Sequence, residues 1–213
     1  PWRNIYAQLK TAELWQIISQ NHPHLDIVKL IKTKNIAVLD AMLSKNINSP
    51  LASSAGRFFD AAAACLGVCS QRIEYEGQAA IEMESLAETA NACEKLKLYP
   101  VAIQNSSDGV LEIQWQTLWL ALFDDLANNV DKAMIALRFH HSVAAAIVLM
   151  VTEISQKETF QKQTKLDTVV LSGGVFQNAM LFTAVEQGIK ALGLKVLGQH
   201  LLPSNDGGLS LGQ

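Results

Sequence analysis

Apolar positions recur at helical spacing over most of the chain, which predicts a helix-rich fold. Short helices over residues 4–20, 25–31 and 35–45 form a helical preface without evident chemistry. Further helices are predicted over residues 53–66, 77–95, 116–128 and 131–155. Two strand-like runs, Tyr99–Gln104 and Val110–Trp115, flank Asp108-Gly109, a dipeptide typical of a hairpin turn.

The last part of the chain predicts a parallel sheet. The apolar run Val169–Leu171 ends in Ser172-Gly173-Gly174, and a helical pattern resumes at Asn178. A second unit has its strand at Leu194–Leu201 and a glycine loop at residues 203–208. Loops of consecutive strand–loop–helix units lie at the carboxyl edge of the sheet, where ligands bind. Glycine admits a close ligand, and a helix N-terminus favours an anion such as phosphate. An ordinary strand-to-helix turn is the alternative interpretation.

One predicted helix is mostly apolar and contains a carboxylate. Ser53 or Ser54 can cap this helix, and Gly67 ends it. Such a helix should be buried, and an unpaired buried charge is costly, so Asp60 needs a partner. Arg57 on the same helix is one candidate partner and a ligand hydroxyl is the other. The sequence leaves both open.

Composition excludes several classes of function. The 213 residues are 49% hydrophobic, carry a net charge of −3 and show no basic cluster, which disfavours nucleic-acid binding. No apolar run reaches the roughly 18 residues of a membrane span, the longest candidate being Val143–Val151, so no membrane association is expected. The cysteines Cys65, Cys69 and Cys93 do not suggest a disulfide framework, which favours the cytoplasm. Because the chain lacks an initial Met and stops in a predicted helix, we expect a piece of a longer protein.

The ionisable residues do not complete a metal site. Adjacent His140 and His141 point about 100° apart on a helix, so they cannot chelate one ion, and one of them is expected to be buried and hydrogen-bonded. Cys65 and Cys69 lack neighbouring ligands and are expected to fill the core. Asp206, in the second glycine loop, is the best single metal ligand, with a helix N-cap as the alternative.

Four segments follow one another in a specific order. They read Ser-Ser-Ala-Gly-Arg-Phe-Phe-Asp-Ala at 53–61, Tyr-Glu-Gly-Gln-Ala-Ala-Ile-Glu at 75–82, Leu-Ser-Gly-Gly-Val-Phe-Gln-Asn at 171–178 and Pro-Ser-Asn-Asp-Gly-Gly-Leu-Ser-Leu-Gly-Gln at 203–213. This combination resembles the C-terminal part of the nickel–iron hydrogenase maturation carbamoyltransferases, the HypF family. The resemblance covers about residues 48–213.

The resemblance implies a fold and a reaction. The fold would be an α/β, Kae1-like lobe of the actin/Hsp70/sugar-kinase type, helix-rich with a parallel βαβ end. Residues 1–47 would be the preface and 48–213 one lobe of a two-lobe domain with ATP in its cleft. The whole enzyme would use carbamoyl phosphate and ATP to make carbamoyl-adenylate. It would then carbamoylate the C-terminal cysteine of a HypE-type partner, the source of the cyanide ligand of the hydrogenase iron.

The motifs also imply roles for individual residues. Those matching the family's nucleotide site are Asp60, Glu76, Gly77, Gly173, Gly174 and Asn178. Asp206 matches a ligand of a divalent metal ion, Mg or Fe. Catalytic residues are not assigned.

The chain also departs from the family pattern. The His-x-x-x-His pair of the metal site and the first phosphate loop of the actin-like fold are missing. We therefore expect the chain alone to bind nucleotide weakly or not at all and to transfer no carbamoyl group. A transferase of the tRNA threonylcarbamoyl type is one alternative, although Tyr75–Ala79 lacks its usual Tyr-Pro-Gly-Gly-Pro. A non-catalytic lobe that docks the partner protein is the other.

Overall fold

The computed structural model describes residues 1–50, 52–91, 96–162, 166–199, 204 and 207, with side chains described throughout except at 158–162. The elements are α1 (Trp2–Thr11), α2 (Trp15–Asn21), α3 (Asp26–Lys32), α4 (Ile36–Ser44), α5 (Ala55–Leu66), α6 (Gln78–Glu88), β1 (Ala102–Asn105), β2 (Leu111–Gln114), α7 (Gln116–Ala127), α8 (Lys132–Lys162), β3 (Thr168–Leu171), α9 (Ala179–Ala191) and β4 (Lys195–Gly198). A 3-10 turn, Gly174–Gln177, lies between β3 and α9. The helix-rich prediction is confirmed.

The chain divides into two compact units, which are described separately. Unit 1 contains Pro1–Lys95 and Gln116–Leu137, and unit 2 contains Leu96–Trp115 and Arg138–Gln213. The preface helices therefore share unit 1 with α5. The domain boundary predicted between residues 47 and 48 stays a prediction.

Unit 1 is built around α5, which begins and ends as predicted. The Ser54 hydroxyl accepts the N–H of Arg57 at 3.4 Å, and Gly67 ends the helix at a left-handed φ of +85°. Helices α1, α3 and α6 pack against α5. From Phe58 to Leu66 every residue except Asp60 is buried, so the apolar character of this helix follows from its central position.

Two helix boundaries in unit 1 differ from the prediction. The helix predicted over residues 4–20 is interrupted between α1 and α2, where Glu13 has a φ of +58°. Leu9 and Leu14 are buried on both sides of the break, so the apolar period continues across it and conceals it. Helix α6 ends at Glu88 rather than near residue 95, and residues 92–95 lie outside the described part.

Unit 2 contains two strand pairs. β1 and β2 form the predicted antiparallel hairpin, with Gly109 at a φ of +77° in its turn. β3 and β4 pair in parallel, from Thr168 opposite Lys195 to Leu171 opposite Gly198, and α9 makes the crossover between them. The predicted strand–loop–helix–strand order is therefore confirmed up to β4, and the helix predicted after residue 208 lies outside the described residues.

Helix α8 is longer than the predicted 131–155. By length and composition its segment Lys132–Lys157 could cross a membrane, with a mean hydropathy of 1.7, and it is the only such helix in the described ranges. The prediction that no segment is long and apolar enough is therefore wrong, because it considered only uninterrupted apolar runs. However, 44% of the tested window is buried in the fold, and the buried His140 and Ser142 make internal hydrogen bonds, as in core helices.

Candidate functional site

The turn after β3 holds Gly173 in a backbone conformation that suits only glycine. Its φ is +107° and its ψ is 153°, a combination in which a Cβ is strained against the backbone. An ideal Cβ at Gly173 would nevertheless meet no described atom within 4 Å. The backbone angles, rather than crowding by described atoms, therefore require the glycine, which lies at the carboxyl end of a strand.

The two predicted glycine loops meet at this turn. The N–H of Gly173 donates a hydrogen bond to the carbonyl of Ser204 at 3.1 Å, which links the turn after β3 to the segment after β4. This is the neighbourhood expected for loops that follow adjacent parallel strands. The predicted metal ligand Asp206 lies outside the described residues.

A 3-10 turn separates the glycines from α9, which the sequence did not predict. It begins at the exposed Gly174, and its N–H bonds run from Phe176 to Gly173 at 3.1 Å and from Asn178 to Val175 at 3.2 Å. Gly174 therefore belongs to a hydrogen-bonded turn and not to a free loop.

Asn178 caps α9 and is nearly buried. Its Oδ1 accepts the N–H of Leu181 at 2.8 Å, and only 8% of the residue is exposed. Its Nδ2 lies 3.0 Å from Nε2 of His140, which is fully buried on α8. The expectation that one of the two adjacent histidines is buried and hydrogen-bonded is confirmed. His141 is partly exposed, and burial lowers its pKa from the usual value.

Asp60 is the polar residue in the buried stretch of α5. The hydrogen bond that its carboxylate accepts comes from Asn4 Nδ2 on α1, at the long distance of 3.4 Å. Burial raises the pKa of Asp60, and the positive charges of the Pro1 amino group and Arg57 oppose that rise. Arg57 therefore helps Asp60 through its charge, while a weak donor leaves the carboxylate with acceptor capacity to spare.

A hydrogen-bond network fixes the loop that carries Glu76 and Gly77. Gly77 precedes α6 at a φ of +80°, and Glu76 is exposed. Gln78 Oε1 accepts the Glu74 N–H at 2.7 Å, and Gln78 Nε2 donates to Glu82 at 2.8 Å. The sequence predicted a solvated acidic face at Glu82, so its structural role was missed. Side-chain spacing of four residues on a helix was the available signal.

The two described thiols of unit 1, Cys65 and Cys69, both have raised pKa values, which disfavours the thiolate at neutral pH. Burial raises the pKa of Cys65 far above its usual range, in agreement with its predicted core role. Desolvation and the Glu82 carboxylate, which accepts a hydrogen bond from the thiol at an Sγ-to-oxygen distance of 3.3 Å, raise the pKa of Cys69 to about 11. Cys93 lies outside the described residues.

A metal site is not formed by the described residues, since they contain no group of three His, Cys, Asp or Glu able to hold an ion. The described histidine His22 has a carboxylate neighbour, with its Nε2 3.5 Å from Oδ1 of Asp124. Of the predicted nucleotide ligands, Asp60, Glu76 and Gly77 belong to unit 1 and Gly173, Gly174 and Asn178 to unit 2. That both groups serve one ligand stays a prediction.

Comparison with known proteins identifies the family. The protein-family model described as "Carbamoyltransferase, Kae1-like Domain, second subdomain" matches residues 1–213. The chain belongs to the HypF carbamoyltransferase family. HypF of Rhodobacter capsulatus is 33% identical over the whole chain, and a HypF homolog of Cupriavidus necator is 33% identical over 217 aligned positions. The resemblance stated from the four motifs is confirmed.

Solved HypF structures support the same fold. A full-length HypF in its phosphate- and nucleotide-bound form matches 99% of the chain at 28% identity with a TM-score of 0.73. HypF of T. kodakarensis matches 83% of the chain at 28% identity with a TM-score of 0.62. The predicted α/β, Kae1-like fold is therefore confirmed.

The chain spans only part of its relatives. It covers 25% of the Rhodobacter capsulatus protein, 51% of the Cupriavidus necator homolog and 25% of the full-length HypF structure. What those whole proteins bind and do is therefore a matter of proposal for this chain.

Proposed function

We propose that this chain is the nucleotide-receiving part of a HypF carbamoyltransferase that uses carbamoyl phosphate and ATP. In the transfer step, an acceptor thiolate attacks the carbamoyl carbon of carbamoyl-adenylate. The bond from that carbon to the adenylate oxygen breaks, and AMP leaves with the electron pair. The acceptor is the C-terminal cysteine of a HypE-type partner, and the cytoplasm is the proposed compartment.

The conformation of Gly173 is the observation that carries this proposal. Gly173 lies at the carboxyl end of β3, beside Ser204 of the segment that follows β4, and a Cβ on it would meet no described atom within 4 Å. Ligands of open α/β sheets bind at this edge, and a backbone without a Cβ lets a phosphate group come close. That a related HypF structure is phosphate- and nucleotide-bound agrees with this assignment.

In unit 1 the proposal gives Asp60 the role of accepting hydrogen bonds from the ribose hydroxyls. Its carboxylate is partly buried and, among the described residues, accepts a long hydrogen bond from Asn4. A carboxylate has about four acceptor positions, so capacity remains for a ligand's donors. Gly77, with Glu76 beside it, would present backbone to the nucleotide through a loop that Gln78 holds in place.

A divalent metal is implied by the family but does not fit the described residues, which offer no sufficient ligand set. No step of the proposed transfer is therefore assigned to a metal. Asp206 and an additional pair of histidines remain the proposed ligands, by resemblance alone.

The proposal predicts different results for the 213-residue chain and for the full-length enzyme. Calorimetric titration of the 213-residue chain with ATP should show weak binding or none, and an affinity in the micromolar range would contradict the expectation of an incomplete site. A full-length enzyme that contains this segment should carbamoylate the partner's C-terminal cysteine, detected by intact-mass spectrometry, only when ATP and carbamoyl phosphate are both present. Transfer without ATP would overturn the proposed function.

A further inference from the structure

The buried pair His140 and Asn178 joins α8 to the head of α9. Nε2 of His140 and Nδ2 of Asn178 are 3.0 Å apart, and the residues are 0% and 8% exposed. They lie 38 positions apart in sequence, so this bond is a tertiary contact. A buried polar contact of this kind is costly to leave unmade.

The cap of α9 determines which atoms of this pair carry protons. The Leu181 N–H donates to Oδ1 of Asn178 at 2.8 Å, which fixes the orientation of the amide. The amide therefore turns its NH₂ group toward the imidazole, and Nε2 must accept. His140 is accordingly a neutral imidazole with its proton on Nδ1, because an imidazolium would set two donors against each other.

Asn178 is also the residue at which the 3-10 turn meets α9. Its backbone N–H donates to Val175 at 3.2 Å, and the Phe176 N–H donates to Gly173 at 3.1 Å. The glycine turn, the 3-10 turn and the helix cap thus form one hydrogen-bonded series. His140 links the end of this series to α8 through its contact with Asn178.

We propose that His140 is a positioning residue for the glycine turn. By accepting from Asn178 it fixes where the 3-10 turn ends, and through that turn it holds the backbone of Gly173 and Gly174 in the conformation that receives phosphate. The phosphate role rests on the proposed function, whereas the hydrogen bond and the tautomer stand on the contacts alone.

Nuclear magnetic resonance of the chain, labelled with ¹⁵N-histidine, tests the hydrogen bond without any ligand. We expect the His140 signal at neutral pH to show an unprotonated Nε2 and a protonated Nδ1, and the Nε2 shift to move in Asn178→Ala. The neighbouring His141 serves as the internal control, because its shifts should stay in place. A protonated Nε2 at His140, or no response to Asn178→Ala, would overturn the proposal.

Kinetics in a full-length enzyme containing this segment test the positioning role. His140→Leu, which keeps bulk but removes the acceptor, should raise KM for ATP about tenfold, because the glycine turn is then no longer held in its binding conformation. His140→Gln, which restores an acceptor, should recover most of that loss, and His141→Gln should change nothing. Equal effects of Leu and Gln, or unchanged kinetics in both, would overturn the positioning role. If the wild-type enzyme itself shows no ATP-dependent transfer, the proposed function is wrong. If only the comparison of the variants fails, the positioning role of His140 is wrong and the proposed function is unaffected.

Discussion

The backbone N–H of Gly173 donates to the carbonyl of Ser204 across 3.1 Å, and this bond joins the segments that follow two parallel strands. It brings together the loops in which the sequence placed both glycine motifs. Gly173 is therefore constrained by this hydrogen bond and by dihedral angles that favour glycine. Replacing it should lower the free energy of unfolding even without a ligand.

Gly173→Ala should lower the free energy of unfolding by about 1–3 kcal/mol, the cost of holding an L-residue in this glycine-only region. The strain is conformational, because the new Cβ meets no described atom within 4 Å. Urea denaturation of both proteins measures the loss. Gly56→Ala is the matched control, since its Cβ would lie 3.7 Å from Ser54 Oγ on a helix that favours alanine. Similar losses in both variants would contradict this account.

Gly188 is where α9 approaches α8 most tightly among the glycine contacts of unit 2. An ideal Cβ there would lie 2.5 Å from Cγ2 of Val148. Gly188→Ala should therefore destabilise the fold by about 1–3 kcal/mol through overpacking, although alanine in a free helix would stabilise it. Adding Val148→Ala should relieve the clash, so the double-mutant cycle should show a favourable coupling. Additive losses would mean that the helices lie further apart.

Ser142 and Thr152 form a natural pair of hydroxyls on α8. Each donates to the carbonyl four residues earlier, but Ser142 Oγ also accepts the buried N–H of Tyr99 at 2.7 Å. Ser142→Ala removes the hydroxyl that accepts this buried N–H and should cost about 1–3 kcal/mol. Thr152→Ala lacks this penalty and should cost less than Ser142→Ala in the same thermal unfolding experiment. A larger loss for Thr152→Ala would contradict the role of the Tyr99 bond.

If Asp60 is a ligand group, its ionised carboxylate should destabilise the unliganded fold. Burial raises its pKa above 3.8, so the ionised carboxylate opposes folding at neutral pH. Asp60→Asn should therefore raise Tm at pH 7 by about 1–2 °C, a few tenths of a kcal/mol for a chain of this size. The gain should vanish as the pH falls through the folded-state pKa, because the wild-type carboxyl is then neutral.

Asp40 provides the opposite control for that experiment. Its carboxylate accepts the Tyr6 hydroxyl at 2.7 Å and lies 3.1 Å from Lys10 Nζ. Asp40→Asn should lower Tm, since a paired carboxylate stabilises the fold. A fall in Tm for Asp60→Asn as well would indicate that Asp60 is a structural group.

Much of this architecture could be predicted because its signals are local. Ser54 and Gly67 define the ends of α5 through capping and a left-handed φ, and neither depends on distant residues. The helix break at Glu13 was not predicted, because buried leucines continue the apolar period across it. The pairing of His140 with Asn178 could not be predicted, since it joins positions that only the packing of α8 and α9 brings together.

In the candidate site, too, some residues could be identified from the sequence and others could not. Gly173 was identified from two adjacent glycines after a strand, and its dihedral angles agree with that reading. Gln78 and Glu82 were missed because their hydrogen bonds fix a loop rather than contact a ligand, and the acidic spacing looks like any solvated helix face.

Gly174→Ala offers the most direct test of the central claim that the turn after β3 receives the nucleotide. Gly174 is exposed and is not among the described glycines with positive φ, so an alanine there meets no left-handed backbone strain, and thermal unfolding of the variant checks that it is folded. In a full-length enzyme containing this segment, ATP-dependent carbamoyl transfer should lose about tenfold or more in kcat/KM for ATP, because the added methyl group keeps phosphate from the backbone. Unchanged kcat/KM for ATP in a folded Gly174→Ala enzyme would contradict the claim.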